Sequence, residues 1–309
     1  MNLKSSNQTF LYEHGNLFDE LVRLNFQNKL PNKILLTGDK GVGKCTFAYH
    51  FINLIHSAGE ANPYDLKNYE IDSENKSFQL TQNKSNPNFE LVDIDEDKKK
   101  IDINQIRNLT LNLNKSSLNN KPRFVLIDNT EFLNTNSINA LLKVLEEPND
   151  NIFFILINNN KKILPTLKSR CLNYKITLSF DQSIKIVNKI IDDDVINLIN
   201  KQLICNYSTP GKLLQLISYG NQFNIDLKNI NLKELISLII HGKHFKKDNS
   251  IKELTYYLIE LYFRSTISIK NIKLINLYNL FIKKIDNTKK FNLDDEVVLM
   301  DFNESILNG

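Results

Sequence analysis

Residues 33–55, KILLTGDKGVGKCTFAYHFINLI, constrain the fold more than any other part of the chain. A short apolar run leads into a glycine-rich turn, formed by Gly38, Gly41 and Gly43, and then into a pattern typical of a helix. Such glycines let backbone N–H groups wrap around a phosphate, and the helix N-terminus adds positive partial charge. The sequence therefore predicts a phosphate-binding loop (P-loop), with the Lys44 ammonium placed to reach the terminal phosphates of a nucleotide.

The position after this lysine departs from the P-loop pattern. A serine or threonine hydroxyl that ligates Mg²⁺ is expected there, but the residue is Cys45. Magnesium prefers oxygen ligands, and a neutral thiol is a poor substitute. Thr46 keeps a hydroxyl one residue later, close to the α-phosphate in such loops, and we expect it to point away from the metal. The sequence thus allows phosphate binding but predicts weakened metal positioning.

The second half of such a site is an apolar strand that ends in two acidic residues, one for Mg²⁺ and one to activate water. In the candidate strand, RFVLIDNTEF, Asp128 occupies the metal position. Its neighbour is Asn129, a neutral amide that cannot accept a proton, and Glu131 is expected to face elsewhere. The two losses together predict a site that binds nucleotide at most and does not hydrolyse it.

Residues 1–178 alternate strand-like and helix-like patterns, which is typical of βα units around a parallel sheet. Each strand-like run is short and rich in Ile, Leu, Val and Phe, as expected where both sheet faces are covered. Residues 57–86 are polar and turn-rich, and predict an irregular insertion or a flexible loop. The predicted strands are 33–38, 89–95, 123–129 and 152–159, and the predicted helices are 44–56, 102–114 and 134–147.

Composition excludes several classes of protein. A net charge of +4 permits contact with nucleic acid without arguing for it. The three cysteines, Cys45, Cys171 and Cys205, lie far apart and form neither a disulfide framework nor a zinc pair. The N-terminus has no apolar signal region, and no segment has the roughly 18 uninterrupted apolar residues of a membrane helix. We therefore expect a cytoplasmic protein with no membrane association.

Two motifs carry a resemblance to a known family. The segments NALLKVLEEP at 139–148 and LPTLKSRC at 164–171 closely resemble the AAA+ clamp-loader subunits of bacterial DNA polymerase III. The similarity covers residues 33–216 well and ends in STPGKLLQL at 208–216. The first 30 residues and the C-terminal helices match by pattern alone.

The resemblance implies an α/β fold with three parts. The expected parts are an AAA+ P-loop domain at 1–178, a small helical lid at 179–220 and an all-α collar domain at 221–309. After residue 178 the strand patterns end, and Ile, Leu, Tyr and Phe recur at helical spacing. The sequence does not separate the core of that collar from a surface that joins subunits.

The resemblance also implies a kind of subunit. Motor subunits of this family, gamma and tau, keep an intact P-loop and an acidic pair, whereas delta prime commonly loses hydrolytic residues. Cys45 and Asn129 favour delta prime, a largely non-hydrolysing member of a five-subunit ring with gamma/tau and delta. The ring loads the sliding clamp on primed DNA. Two alternatives stay open: an ATP-hydrolysing gamma/tau-like motor subunit, and a free-standing nucleotide-binding module.

Family motifs assign further residues. Arg170 of S-R-C corresponds to an arginine finger that reaches the ATP of the adjacent subunit, for which a permanently charged planar guanidinium is well suited. Asn158 lies near the polar position that senses the γ-phosphate, and Lys212 lies at a phosphate-contacting position of the lid; either can instead be structural. Many members carry a cysteine zinc module after the P-loop helix, which this chain lacks. ATP binding is left open, Mg²⁺ is expected to be weak or absent, and no zinc is expected.

Overall fold

A computed structural model of the chain describes residues 4–95, 98, 100–115, 121–146, 151–266, 272–291 and 293–307. The chain divides into two compact units. Unit 1 is Met1–Ile186 together with Thr209–Gly211, and unit 2 is Val187–Ser208 together with Lys212–Gly309. The finer division into AAA+ domain, lid and collar stays a prediction.

Unit 1 is built on a parallel five-stranded sheet with the order β2-β3-β4-β1-β5. The four predicted strands are present, and the parallel α/β architecture is confirmed. The fifth, at the edge beside β1, was not predicted because LNYK is short and mostly exposed, so it lacks the apolar run that marks a buried strand. The strands are β1 (Lys33–Thr37), β2 (Phe89–Val92), β3 (Arg123–Ile127), β4 (Ile152–Asn158) and β5 (Leu172–Lys175).

Helices lie between these strands, and the three predicted helices are confirmed. Asp102 caps α4 because its carboxylate accepts from the backbone N–H groups of Asn104 and Gln105. The last predicted residue of 134–147 lies outside the described residues. The helices are α1 (Gly15–Phe26), α2 (Lys44–His56), α3 (Lys76–Gln82), α4 (Ile103–Leu113), α5 (Thr135–Glu146), α6 (Pro165–Lys168) and α7 (Phe180–Ile191), of which α7 runs into unit 2.

The sheet of unit 1 has an apolar core on each face. Successive side chains of a strand point to opposite faces. Ile34 and Leu36 of β1 accordingly belong to one buried cluster, together with Phe51 of α2. Leu35 belongs to the other, together with Leu141 of α5. Both faces of β1 are therefore covered, and the loop that follows β1 starts from a rigid base.

The segment 57–86 is more ordered than the sequence indicated. It contains α3, and Tyr64, Ile71 and Phe78 are buried in the first core cluster. The Asn75 side-chain oxygen caps α3 by accepting from the backbone N–H of Phe78 at 2.8 Å. The expectation of an irregular insertion agrees with residues 57–75, which form turns and bends. The sequence did not predict α3 or the buried side chains, because the buried apolar residues are widely spaced among polar ones.

Unit 2 is helical, as the sequence predicted. Its core includes Leu235, Leu258, Phe263 and Phe302, all fully or almost fully buried. No helix in the described part of the chain is long and apolar enough to cross a membrane. The helices are α8 (Val195–Leu198), α9 (Pro210–Phe223, which starts in unit 1), α10 (Leu232–His241), α11 (Asn249–Thr266), α12 (Ile272–Phe291) and α13 (Asp295–Phe302).

Candidate nucleotide site and arginine motif

The P-loop follows β1, and its lysine side chain is hydrogen-bonded to the backbone of the same loop. Gly41 and Gly43 have φ values of 89° and 93°, in the left-handed region that favours glycine. The Lys44 side chain is buried, and its ammonium donates to the carbonyl oxygens of Gly38 at 2.8 Å and Asp39 at 2.7 Å. Burial lowers the pKa of Lys44 to about 8, although nearby carboxylates oppose this shift. The lysine that would reach for phosphate thus rests on the loop itself.

The residues 209–211 of unit 1 lie directly against the P-loop. The Thr209 hydroxyl donates to the carbonyl oxygen of Lys40 at 2.8 Å, and the Gly211 N–H donates to that of Gly41 at 2.9 Å. A Cβ atom at Gly211 would lie 2.7 Å from the Cα of Gly41, so only glycine permits this approach. Sequence reasoning assigned these residues to a lid motif and did not foresee the contact.

Cys45 and Asp128 occupy the two positions from which Mg²⁺ is held in an intact site. Cys45 is half-buried. Burial, followed by the Asp128 charge, raises the pKa of the Cys45 thiol well above its usual value, so the thiol stays protonated. Burial and the charge of Asp93 raise the pKa of Asp128 to about 6. A protonated thiol is no ligand for a hard cation, so this pair does not fit Mg²⁺.

Asn129 is held by neighbours on both sides. It has a left-handed backbone, with φ of 55°. Its side-chain amide donates to Asp93 at 2.8 Å, and its oxygen accepts from the Asn159 amide at 2.9 Å. The Asn159 amide also donates to Glu131 at 2.9 Å, so Glu131 is engaged within the same network. The position expected to activate water is therefore an amide in a polar network, whose members Asp93 and Asn159 the sequence did not suggest.

Of the remaining predicted residues, Asn158 and Thr46 belong to unit 1 and Lys212 belongs to unit 2. Asn158 lies beside the P-loop, because β4 and β1 place it in register with Thr37. It is almost fully buried, and its amide nitrogen has no hydrogen-bond partner among the described residues. Thr46 is half-buried in the first turn of α2. Lys212 belongs to unit 2, where its ammonium lies 4.2 Å from the centre of the Tyr257 ring.

Metal ligands are not assembled in the part of the chain that the structure describes. No group of three or more His, Cys, Asp or Glu side chains there is arranged to hold an ion. The absence of zinc stays a prediction.

Arg170 lies at the opposite end of the sheet from the P-loop. It precedes β5, whose first residue Leu172 is in register with Ile34 at the start of β1. Three residue steps separate Ile34 from Thr37, the last residue of β1 before the P-loop, which is about 10 Å at the rise of a β-strand. This separation exceeds the reach of an arginine side chain, so Arg170 cannot serve its own P-loop.

The Arg170 side chain is exposed and paired within its own chain. Its Nε donates to Oε1 of Glu146 at 2.8 Å, and its Nη2 donates to the same oxygen. Its Nη1 donates to the carbonyl oxygen of Thr166 at 2.9 Å. Surface ion pairs of this kind contribute about 0–1 kcal/mol, so the pair is easily broken.

The parallel sheet, the loop after β1 and the arginine before β5 define a P-loop domain of the AAA+ class. The family described as DNA polymerase III, delta subunit, matches residues 13–179, more than half of the 309 residues. The chain belongs to this family, which confirms the clamp-loader resemblance.

Individual relatives agree with this assignment. A delta prime subunit of DNA polymerase III from Buchnera aphidicola (Schizaphis graminum) is 23% identical, covering 87% of this chain and 83% of its own. A gamma subunit from the same organism is 26% identical, covering 74% and 57%. The solved structure of a gamma subunit-related protein from Thermotoga maritima aligns with a TM-score of 0.50 at 18% identity, covering 93% and 98%, and supports the fold. The family and the delta prime relative support a delta prime-like subunit.

Proposed function

We propose that this chain is a delta prime-type, largely non-hydrolysing subunit of a cytoplasmic clamp loader of DNA polymerase III. It extends Arg170 to the ATP of a neighbouring motor subunit and helps to load the sliding clamp on primed DNA. Its partners are gamma/tau and delta subunits in a five-subunit ring. Because relatives of both the delta prime and the gamma kind are similar to this chain, the distinction rests on its own residues.

The observation that carries the proposal is the environment of Asn129. Hydrolysis of ATP needs a group that orients or deprotonates water beside the metal-binding aspartate. Here that position holds an amide bonded to Asp93 and Asn159. The nearest further acid in the sequence, Glu131, is bonded to Asn159 as well. Asn129 cannot accept a proton and Glu131 is hydrogen-bonded within the same network, which argues against the gamma/tau-like motor.

Arg170 presents an exposed guanidinium to a neighbouring subunit, whereas the polar groups of this chain's own nucleotide site are buried or half-buried. A neighbour's transferring phosphoryl group spreads negative charge over several oxygens, and a fixed forked cation stabilises that charge. Arg170 is exposed and lies too far from its own P-loop to act there. Action on a neighbouring subunit is therefore the role that its position supports.

The purified chain tests the first half of this proposal. We expect its steady-state release of phosphate from ATP to equal that of a Lys44→Ala variant, because neither protein positions Mg²⁺ or water. Circular dichroism should show that both are folded. Turnover well above the Lys44→Ala variant would contradict the proposal and favour a motor subunit. Measuring binding of a labelled ATP analogue separately decides whether nucleotide binds without being hydrolysed.

A further inference from the structure

The contacts of Arg170 divide its N–H groups into two sets. A guanidinium carries five N–H donors in a rigid planar fork. Three hydrogen bonds to Glu146 and Thr166 use one donor on each of its three nitrogens. Within the described part of the chain, one N–H on Nη1 and one on Nη2 are left for another acceptor. Those are donors that can bind phosphate oxygens.

Glu146 binds one edge of the guanidinium and favours one orientation of its plane. Oε1 accepts from both Nε and Nη2, which lie on the same side of the fork. The Thr166 carbonyl, one residue inside α6, binds the third nitrogen. Acceptors on two sides restrict rotation of a long side chain that would otherwise sample many rotamers.

Glu146 occupies an unfavourable position in its own helix but a favourable one for binding Arg170. It is the last residue of α5, where the negative end of the helix dipole disfavours a carboxylate. Lys143 is the basic residue in that last turn. Arg170, 24 residues away in sequence, adds a second positive charge directly beside Glu146.

We propose that Glu146 is a positioning residue for Arg170. It holds the guanidinium by its inner edge so that the outer N–H donors face the phosphates of a neighbouring subunit. The inference rests on the proposed function, since it assumes that Arg170 serves a nucleotide in trans. The alternative, that Glu146 competes with the phosphates and restrains the arginine, predicts the opposite sign.

Reconstituted clamp loaders test this with four versions of the chain: wild type, Glu146→Ala, Arg170→Ala and the double variant. We expect Glu146→Ala to lower clamp- and DNA-stimulated ATP turnover about fivefold. Losing a surface ion pair lowers, by about that factor, the population of Arg170 side chains in the active orientation relative to the others. The KM for ATP should stay unchanged, because the effect lies in the transition state. In the Arg170→Ala background, the second substitution should have no further effect. Glu74→Gln, at an exposed glutamate elsewhere in unit 1, is the matched control.

The outcomes separate this inference from the proposed function. If Arg170→Ala lowers turnover and Glu146→Ala does not, the positioning role is wrong while the finger stands. If Glu146→Ala raises turnover, Glu146 is a competitor. If Arg170→Ala has no effect, the proposed function itself fails. Glu146→Gln, which keeps one acceptor oxygen, should lie between wild type and Glu146→Ala.

Discussion

The two ends of the sheet in unit 1 differ in the burial of their polar side chains. At the P-loop end, Lys44 and Asn129 are buried or half-buried and hydrogen-bonded to their own chain, and Cys45 is half-buried beside them. At the other end, Arg170 is exposed and held by a surface pair with Glu146. Buried polar networks hold a structure rigid, whereas exposed pairs exchange partners readily. The difference fits the proposal that the chain acts on a partner subunit through Arg170 and not through its own P-loop.

The largest effect should follow from changing the shape of the arginine. Arg170→Lys keeps the charge but loses the fork, so we expect it to behave almost like Arg170→Ala in reconstituted complexes. The motor site that it serves should lose on the order of 10³ in turnover. Stimulated ATPase and clamp loading are the measurements, with Arg107→Ala, at an exposed arginine of α4, as the control. Full activity of Arg170→Lys would mean that charge alone suffices.

Acid should weaken the P-loop end through its buried histidines. His50 is fully buried between the Tyr64 hydroxyl and the Gln8 carbonyl, and burial lowers its pKa to about 4. The unfolded chain takes up this proton near pH 6.5, so the contribution of His50 to stability is complete above that pH. It is lost as the pH falls towards 4.

We expect the loss from His50 to be about 2 kcal/mol between pH 7 and pH 5. Asp128, with its pKa raised to about 6, titrates in the same range with the opposite sign. The test is therefore the difference in free energy of unfolding between wild type and His50→Gln at the two pH values. An equal pH dependence of the two proteins would show that the pKa of His50 is the same in the folded protein as in the unfolded chain.

Adding a single Cβ atom at Gly211 should disrupt the contact between the 209–211 segment and the P-loop. Gly211→Ala places a Cβ 2.7 Å from the Cα of Gly41 and 3.2 Å from its carbonyl oxygen. We expect a destabilisation of about 1–3 kcal/mol, as for other overpacked sites. Helix propensity alone would give a stabilisation of up to ~1 kcal/mol, so the sign of the change is decisive. Denaturant unfolding measures it, with Asn221→Ala, an exposed site on α9, as the control.

The smallest effect should come from treating the protein with a metal chelator. In the segment after α2, Glu60 accepts from the backbone N–H and the hydroxyl of Ser77 and pairs with Lys121. We expect these contacts, and no metal, to stabilise this segment. A chelator wash should leave the melting temperature unchanged, and elemental analysis should find no stoichiometric zinc. Tightly held zinc, or a chelator-sensitive melt, would mean that the segment 57–86 has been misinterpreted.

The elements that sequence predicted are those encoded by neighbouring residues. The P-loop, α2 and the strand before Asp128 each show an apolar run or a glycine spacing within a few positions. The contacts that decide the site join distant residues: Thr209 meets Lys40 across 169 positions, and Glu146 meets Arg170 across 24. No local pattern encodes such pairs, because the fold brings the 209–211 segment against the P-loop and Arg170 beside the end of α5.

The central claim is that the chain works through Arg170 and not through its own P-loop. Clamp loading by complexes that contain either Lys44→Ala or Arg170→Ala in this chain alone tests it most directly. We expect the Lys44→Ala complex to load clamps at the wild-type rate and the Arg170→Ala complex to be severely impaired, with both assembling normally. A severe defect with Lys44→Ala and none with Arg170→Ala would contradict the account.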